Sequence, residues 1–212
     1  MSGTADVPAE DLDLVALICS RLCHDLAGSI GAINNGIELL AEETDPAMRD
    51  EAIGLIAMSG GDAARRLAFF RQALGASGSL DEPLALPELA RVAEAYFAGG
   101  KITAILPDEP AGSLPKPLGK AVLLLLLLAA QALVRGGTLT LARDTAKNGW
   151  RITGQGSSLR WSETAAAGLG DGDWPREPQA ALARYARKLA AMAGCRIAVR
   201  TGDDTVTISV AP

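Results

Sequence analysis

Val15, Ile18, Leu22, Leu26, Ile30, Ile33, Ile37 and Leu40 follow one another at steps of three or four residues. A helix turning about 100° per residue gathers such a series on one face. The spacing predicts a helix over about Asp11–Glu42 with the stripe of a helix-bundle seam. Ile53, Ile56, Gly60, Ala63, Leu67, Phe70 and Leu74 form a second seam, alternating steps of three and four. Asp45 and Pro46 suit the N-cap and first position of that second helix, which runs to Leu74. Gly60-Gly61 within it predicts a close helix approach or a bend. Two helices joined by so short a loop make an antiparallel hairpin. One hairpin cannot bury two stripes, so a second copy is expected to complete a four-helix bundle as a homodimer.

Gly75-Ala76-Ser77-Gly78-Ser79 reads as a linker between a hairpin domain (1–76) and a second domain (80–212). Beyond it, Leu86–Phe97 reads as a helix and Lys101–Leu106 as a strand. Pro117–Val134 is apolar enough for a buried helix. Gly137–Arg143 and Trp150–Thr153 pair around Lys147-Asn148-Gly149, where Asn-Gly is a turn signal. Residues 154–176 read mostly as loop. Gln179–Ala193 is a helix ended by Gly194, and Arg196–Arg200 with Thr205–Val210 is a second hairpin. The class is α+β, with a two-layer α/β sandwich after the helical hairpin. Residues 1–10 read as a frayed tail.

A net charge of −5 gives no footprint for nucleic acid and no polybasic membrane patch. The first ten residues lack the basic start and apolar core of a secretory signal. The longest apolar run, Ala121–Ala130, is shorter than the ~20 residues of a membrane span. Cys19, Cys23 and Cys195 read as reduced thiols, so a cytoplasmic protein is expected, with neither nucleic acid nor membrane as partner. A zinc site needs four ligands, and only Cys19, Cys23 and His24 lie together. Cys-x-x-x-Cys-His is also one residue too long for haem attachment. No bound metal or cofactor is expected.

His24 is the single histidine. It falls about 170° from the middle of the apolar stripe, on an outer line with Gly28, Gly31 and Asn35. A catalytic triad does not fit: Asp25 is adjacent, and neighbours on a helix point about 100° apart. No strand-to-helix nucleophile elbow is present either. An exposed imidazole can instead be the nucleophile, forming a phosphoryl intermediate. That chemistry wants a protruding ring, small neighbours for a partner to approach, and a carboxylate to fix the tautomer. His24, Gly28, Gly31 and Asp25 supply these. The basic edge Arg65, Arg66 and Arg71 is available to an acidic partner.

Arg21-Leu22-Cys23-His24-Asp25-Leu26, with Gly31-Ala32-Ile33-Asn34-Asn35-Gly36-Ile37-Glu38-Leu39-Leu40, resembles the first helix of the ChpT-type histidine phosphotransferases of alphaproteobacterial phosphorelays. Arg66-Leu67-Ala68-Phe69-Phe70-Arg71-Gln72-Ala73-Leu74-Gly75-Ala76 resembles the end of that family's second helix. The resemblance implies a dimeric bundle like that of sensor kinases, with His24 as phosphoacceptor and Asp25 beside it. The small-residue lane and the basic edge of the second helix place the docking of a partner around Gly28, Gly31, Asn35, Arg65 and Arg71. The resemblance also implies a second domain that is a degenerate copy of the kinase ATP-binding (Bergerat) domain. The implied donor is the receiver domain of a hybrid histidine kinase. The implied acceptors are response regulators of the CtrA or CpdR kind, whose receivers bring Mg²⁺.

The chain departs from a working kinase at several points. Its buried helix has no Asn or acid, Gln131 being its one amide. Ile152 stands where an adenine-reading Asp would be. Gly168, Gly170 and Gly172 open no helix as a phosphate cradle would. Ser29 replaces the proline of the kinase pattern His-acid-Leu-x-x-Pro. An ATP-dependent kinase and a non-catalytic scaffold for response regulators are the alternatives.

Overall fold

The computed structural model describes residues 8–75, 82–107, 109 and 112–212. Helices α1 (Ala9–Glu42) and α2 (Pro46–Leu74) form the antiparallel hairpin. The Asp45 carboxylate caps α2, accepting from the Ala47 and Met48 amides at 2.8 and 3.4 Å. Arg49 Nη1 donates to the carbonyls of Leu40 and Glu43, satisfying oxygens that the end of α1 leaves open.

Small residues make the seam inside the hairpin. Ser29 and Gly36 of α1 are buried against Ala52 and Ser59 of α2. A Cβ on Gly36 would stand 2.7 Å from Ile56 Cγ1. The close approach expected at Gly60-Gly61 is therefore at Gly36. Nothing lies within 4 Å of a Cβ on Gly60, and α2 runs unbroken. Val15, Ile30, Ile37, Ile53 and Leu67 remain 50–61% exposed. Ile30, Ile37 and Ile53 come one residue after buried Ser29, Gly36 and Ala52. On antiparallel helices that offset turns both sets to the same side, leaving one apolar face on the hairpin.

After β1 (Leu84–Ala85) come α3 (Leu86–Phe97), β2 (Ile102–Ile105), β3 (Ser113–Leu114) and α4 (Lys116–Ala132). Then follow β4 (Gly137–Asp144), β5 (Gly149–Gln155), α5 (Glu163–Leu169), α6 (Pro178–Met192), β6 (Arg196–Thr201) and β7 (Thr205–Ala211). The main sheet has the order β2-β4-β5-β7-β6, with β2 parallel to β4 and the other pairs antiparallel. Period-2 alternation sends Leu139, Leu141, Ile152, Val206, Ile208 and Val210 into the core. Leu123–Leu128 of α4 are buried around the whole helix, as an uninterrupted apolar run requires. The α+β class and both β-hairpins stand as the sequence predicts. Asn148 takes the left-handed φ of 48° in the first turn, and Gly194 follows α6 at φ 70°.

Two expectations are corrected, and one pair of strands goes unread in the sequence. Residues 154–176 contain α5, capped by Ser162, whose hydroxyl accepts from the Ala165 amide at 3.2 Å. Strands β1 and β3 pair over two residues each, too short for any periodicity to reveal. Residues 8–10 are not frayed: α1 begins at Ala9 and its first turn is docked, while residues 1–7 lie outside the described part. Glu10 accepts from Trp174 Nε1 and Arg184 Nε at 3.2 and 3.1 Å. Arg176 Nε reaches Asp13 at 3.0 Å, and Lys188 reaches Asp11 at 2.6 Å. Most of the expected linker, 76–79, also lies outside the described residues.

The hairpin and second domain pack on each other at two places. The ion pairs above tie the start of α1 to α6 and its preceding loop. Phe69, Phe70 and Ala73 of α2 enter the same core as α3 and α4. Phe69 and Phe70 contact Tyr96 of α3 with ring centroids 4.3 and 6.2 Å apart. Lys120 Nζ of α4 donates to the Gly75 carbonyl at the end of α2. This docking sets α3 and the loop after it beside the middle of α1.

Candidate functional site

His24 projects from the middle of α1 on the side away from the apolar face. Its side chain is 85% exposed, while that of the adjacent Asp25 is 7% exposed. His24 Nδ1 lies 3.4 Å from Asp25 Oδ1. Arg21 Nε donates to Asp25 Oδ2 at 2.9 Å, one helical turn away. Neighbours on a helix leave it about 100° apart. The carboxylate nevertheless turns back beneath the ring, with its other oxygen on Arg21. A proton on Nδ1 facing the carboxylate leaves the Nε2 lone pair uncovered.

The imidazole overlooks a 730 Å³ cleft between the hairpin and the loop from α3 to β2. One wall carries His24, Asp25, Gly28 and Ser29 of α1 with Asp62, Arg65 and Arg66 of α2. Tyr96 and the Ala98–Lys101 loop form the other. Gly99 takes φ 75° there, a conformation that glycine adopts without strain. Ser29 Oγ donates to Asp62 Oδ2 at 2.7 Å, and Arg66 Nε donates to the same oxygen at 2.8 Å. Burial pushes the Asp62 carboxyl up; the Ser29 hydroxyl and the Arg66 and Arg65 guanidinia outweigh it, so it titrates below its ordinary value. Burial, and next the Asp25 carboxylate, push the Tyr96 phenol up. Phosphoryl groups are held by positioned cations, and in this lining Arg65, Arg66 and Lys101 outnumber Asp25 and Asp62, leaving a small basic excess.

The structure separates the other sequence candidates. Gly28 lines the cleft, and nothing lies within 4 Å of a Cβ placed on Gly28 or Gly31. Gly31 and Asn35 lie farther along α1 and do not line it. Arg65 does. Arg71 lies elsewhere, in an apolar groove with Val15, Leu67 and Tyr185. Asp62, Tyr96 and Lys101 escaped sequence reasoning. Gly99-Gly100 announces a turn, but no periodicity says that it faces His24.

Among the described residues no group of three His, Cys, Asp or Glu side chains could hold a metal. Ile152 is wholly buried within β5. A Cβ on Gly168 would overlap the Ala180 carbonyl, so that glycine serves the packing of α5 on α6. Gly170 caps α5, and Gly172 stands in open space.

A helical hairpin bearing one protruding histidine, docked to an α+β domain around a basic cleft, defines the class of histidine phosphotransfer proteins. Residues 86–205 match the family model described as the histidine phosphotransferase C-terminal domain. The chain is 36% identical over 201 residues to the protein phosphotransferase ChpT of Brucella abortus (strain 2308), covering 92% of this chain and 94% of that one. A solved structure described as a bacterial phosphotransferase superposes with a TM-score of 0.78 at 31% identity, covering 99% of this chain and 100% of the other. The chain belongs to the ChpT-type histidine phosphotransferases. The match of residues 86–205 leaves the His24 hairpin outside it, so the assignment of the site rests on the geometry above.

Proposed function

We propose that His24 carries the phosphoryl group in a phosphorelay. The observation that carries this is an imidazole 85% exposed at a basic cleft, with Nδ1 turned to a buried carboxylate. A receiver domain presents its aspartyl phosphate at the cleft. The Nε2 lone pair attacks phosphorus in line, the bond from phosphorus to the receiver's carboxylate oxygen breaks, and that carboxylate departs. Asp25 holds the Nδ1 proton throughout, stabilising the charge that forms on the ring. The group then passes to a second receiver by the reverse step.

The donor is the receiver of a hybrid histidine kinase, and the acceptors are response regulators of the CtrA or CpdR kind. Mg²⁺ arrives with the receivers and ATP is not used. The apolar face of the hairpin pairs with a second copy to form a four-helix bundle, and the relay works in the cytoplasm. The test is transfer of labelled phosphoryl from a phosphorylated receiver, without ATP. Wild type takes up label and His24→Ala does not. Label retained by His24→Ala overturns the assignment.

A further inference from the structure

We infer that Arg21 is a positioning residue for phosphoryl transfer, acting through Asp25; this rests on His24 being the phosphoacceptor. The Asp25 carboxylate is nearly buried, and charged or titratable groups face it from three helices. From its own helix come Arg21 and His24. From α2 comes Arg66, itself paired with Asp62 in the same cleft; from α3 comes Tyr96. The carboxylate therefore has two cations to choose between. Arg66 lies toward α2 and α3, and pairing there would draw it away from the imidazole. Arg66 Nε is already held by Asp62 at 2.8 Å. Arg21 Nε takes Oδ2 at 2.9 Å, which leaves Oδ1 as the oxygen presented to Nδ1.

A solvated i,i+4 pair contributes little to stability. This one differs, because its carboxylate is 7% exposed and its guanidinium 23%. Its consequence is orientation. With Oδ1 fixed, the Nδ1–H tautomer of neutral His24 is favoured and the Nε2 lone pair faces the incoming phosphorus. No proton leaves the ring in the step: phosphorus gains a bond to Nε2, and the receiver carboxylate leaves with its electron pair. Without Arg21 the carboxylate swings toward Arg66, the tautomers mix, and fewer collisions find the productive ring. Arg21 touches neither ring nor phosphate.

The test compares single-turnover transfer from a phosphorylated receiver to wild-type chain, Arg21→Gln, Arg21→Lys, Asp25→Ala and the Arg21→Gln/Asp25→Ala double variant. Arg21→Gln keeps most of the stem, and unchanged melting confirms the fold. We expect Arg21→Gln to lower the maximal rate roughly tenfold, within the range expected for misplacement of a reacting group. The receiver concentration at half-maximal rate stays within about twofold. Arg21→Lys restores most of the rate, and Arg21→Gln has no further effect once Asp25 is gone. The ¹⁵N shifts of His24 move from one tautomer toward an even mixture in Arg21→Gln. An equal loss in the Asp25→Ala background, a change confined to half-saturation, or unmoved ¹⁵N shifts overturns the inference. Label on His24→Ala, run alongside, marks failure of the phosphoacceptor assignment instead.

Discussion

Replacing Ile37 and Ile53 together by Glu should separate the proposed dimer into folded monomers. Both side chains are about half exposed on the single chain, like Val15, Ile30 and Leu67 on the same apolar stripe. Full burial of such a side chain is worth about 1.5–3 kcal/mol, so covering the exposed half contributes ~1 kcal/mol. Five such residues in each of two copies give roughly 10 kcal/mol of gross association energy. Association itself costs an estimated 4–15 kcal/mol, so a dimer built on this face would need most of it. The double variant removes about 4 kcal/mol of apolar burial and adds charges that resist desolvation. The dissociation constant should rise by roughly three orders of magnitude or more. Sedimentation equilibrium reads the mass, and circular dichroism checks that helix content is retained, since neither residue packs into the buried seam. A wild-type chain that sediments as a monomer, or a variant with an unchanged constant, refutes the reasoning.

Asp62 titrates below its ordinary value in the fold, so the unfolded chain binds its proton first as pH falls. Its contribution is present above about pH 4 and lost as pH falls through the lower folded value; Asp62→Asn should flatten that part of the melting-temperature profile between about pH 5 and pH 2. Gly136 takes φ 92° with its missing Cβ directed at the Lys101 carbonyl. Gly136→Ala should cost ~2 kcal/mol or more and lower the melting temperature by roughly 4–8 °C in calorimetry. Mg²⁺-ATP at about 1 mM should leave the melting temperature unchanged, whereas a nucleotide bound at about 10 μM would add ~2.7 kcal/mol of stability. The expectation follows from the resemblance, which sets the buried Ile152 where an adenine-reading acid would be.

The long helices were legible because their period repeats over many turns, and the caps at Asp45 and Gly194 are local chemistry. The apolar stripe on α1 was legible as a stripe, but not which part of it faces α2. The intramolecular contact uses the narrow residues Ser29, Gly36, Ala52 and Ser59, which hydropathy ranks below their isoleucine neighbours. Helix α5 was hidden because its seven residues sit among glycines and serines that read as loop. His24 was legible from its phase on the helix. Its surroundings were not: Tyr96 and Lys101 reach the cleft through tertiary packing of α3 on α2, which has no signature in local spacing. The contact of Asp25 with the ring at one oxygen and Arg21 at the other is likewise a matter of side-chain rotamers that spacing does not report.

The most direct measurement places the phosphoryl group itself. After transfer from a phosphorylated receiver without nucleotide, tandem mass spectrometry with ³¹P and ¹⁵N spectroscopy should find an acid-labile phosphoramidate on Nε2 of His24. Phosphate on any other residue, on Nδ1, or on no residue at all would contradict the account.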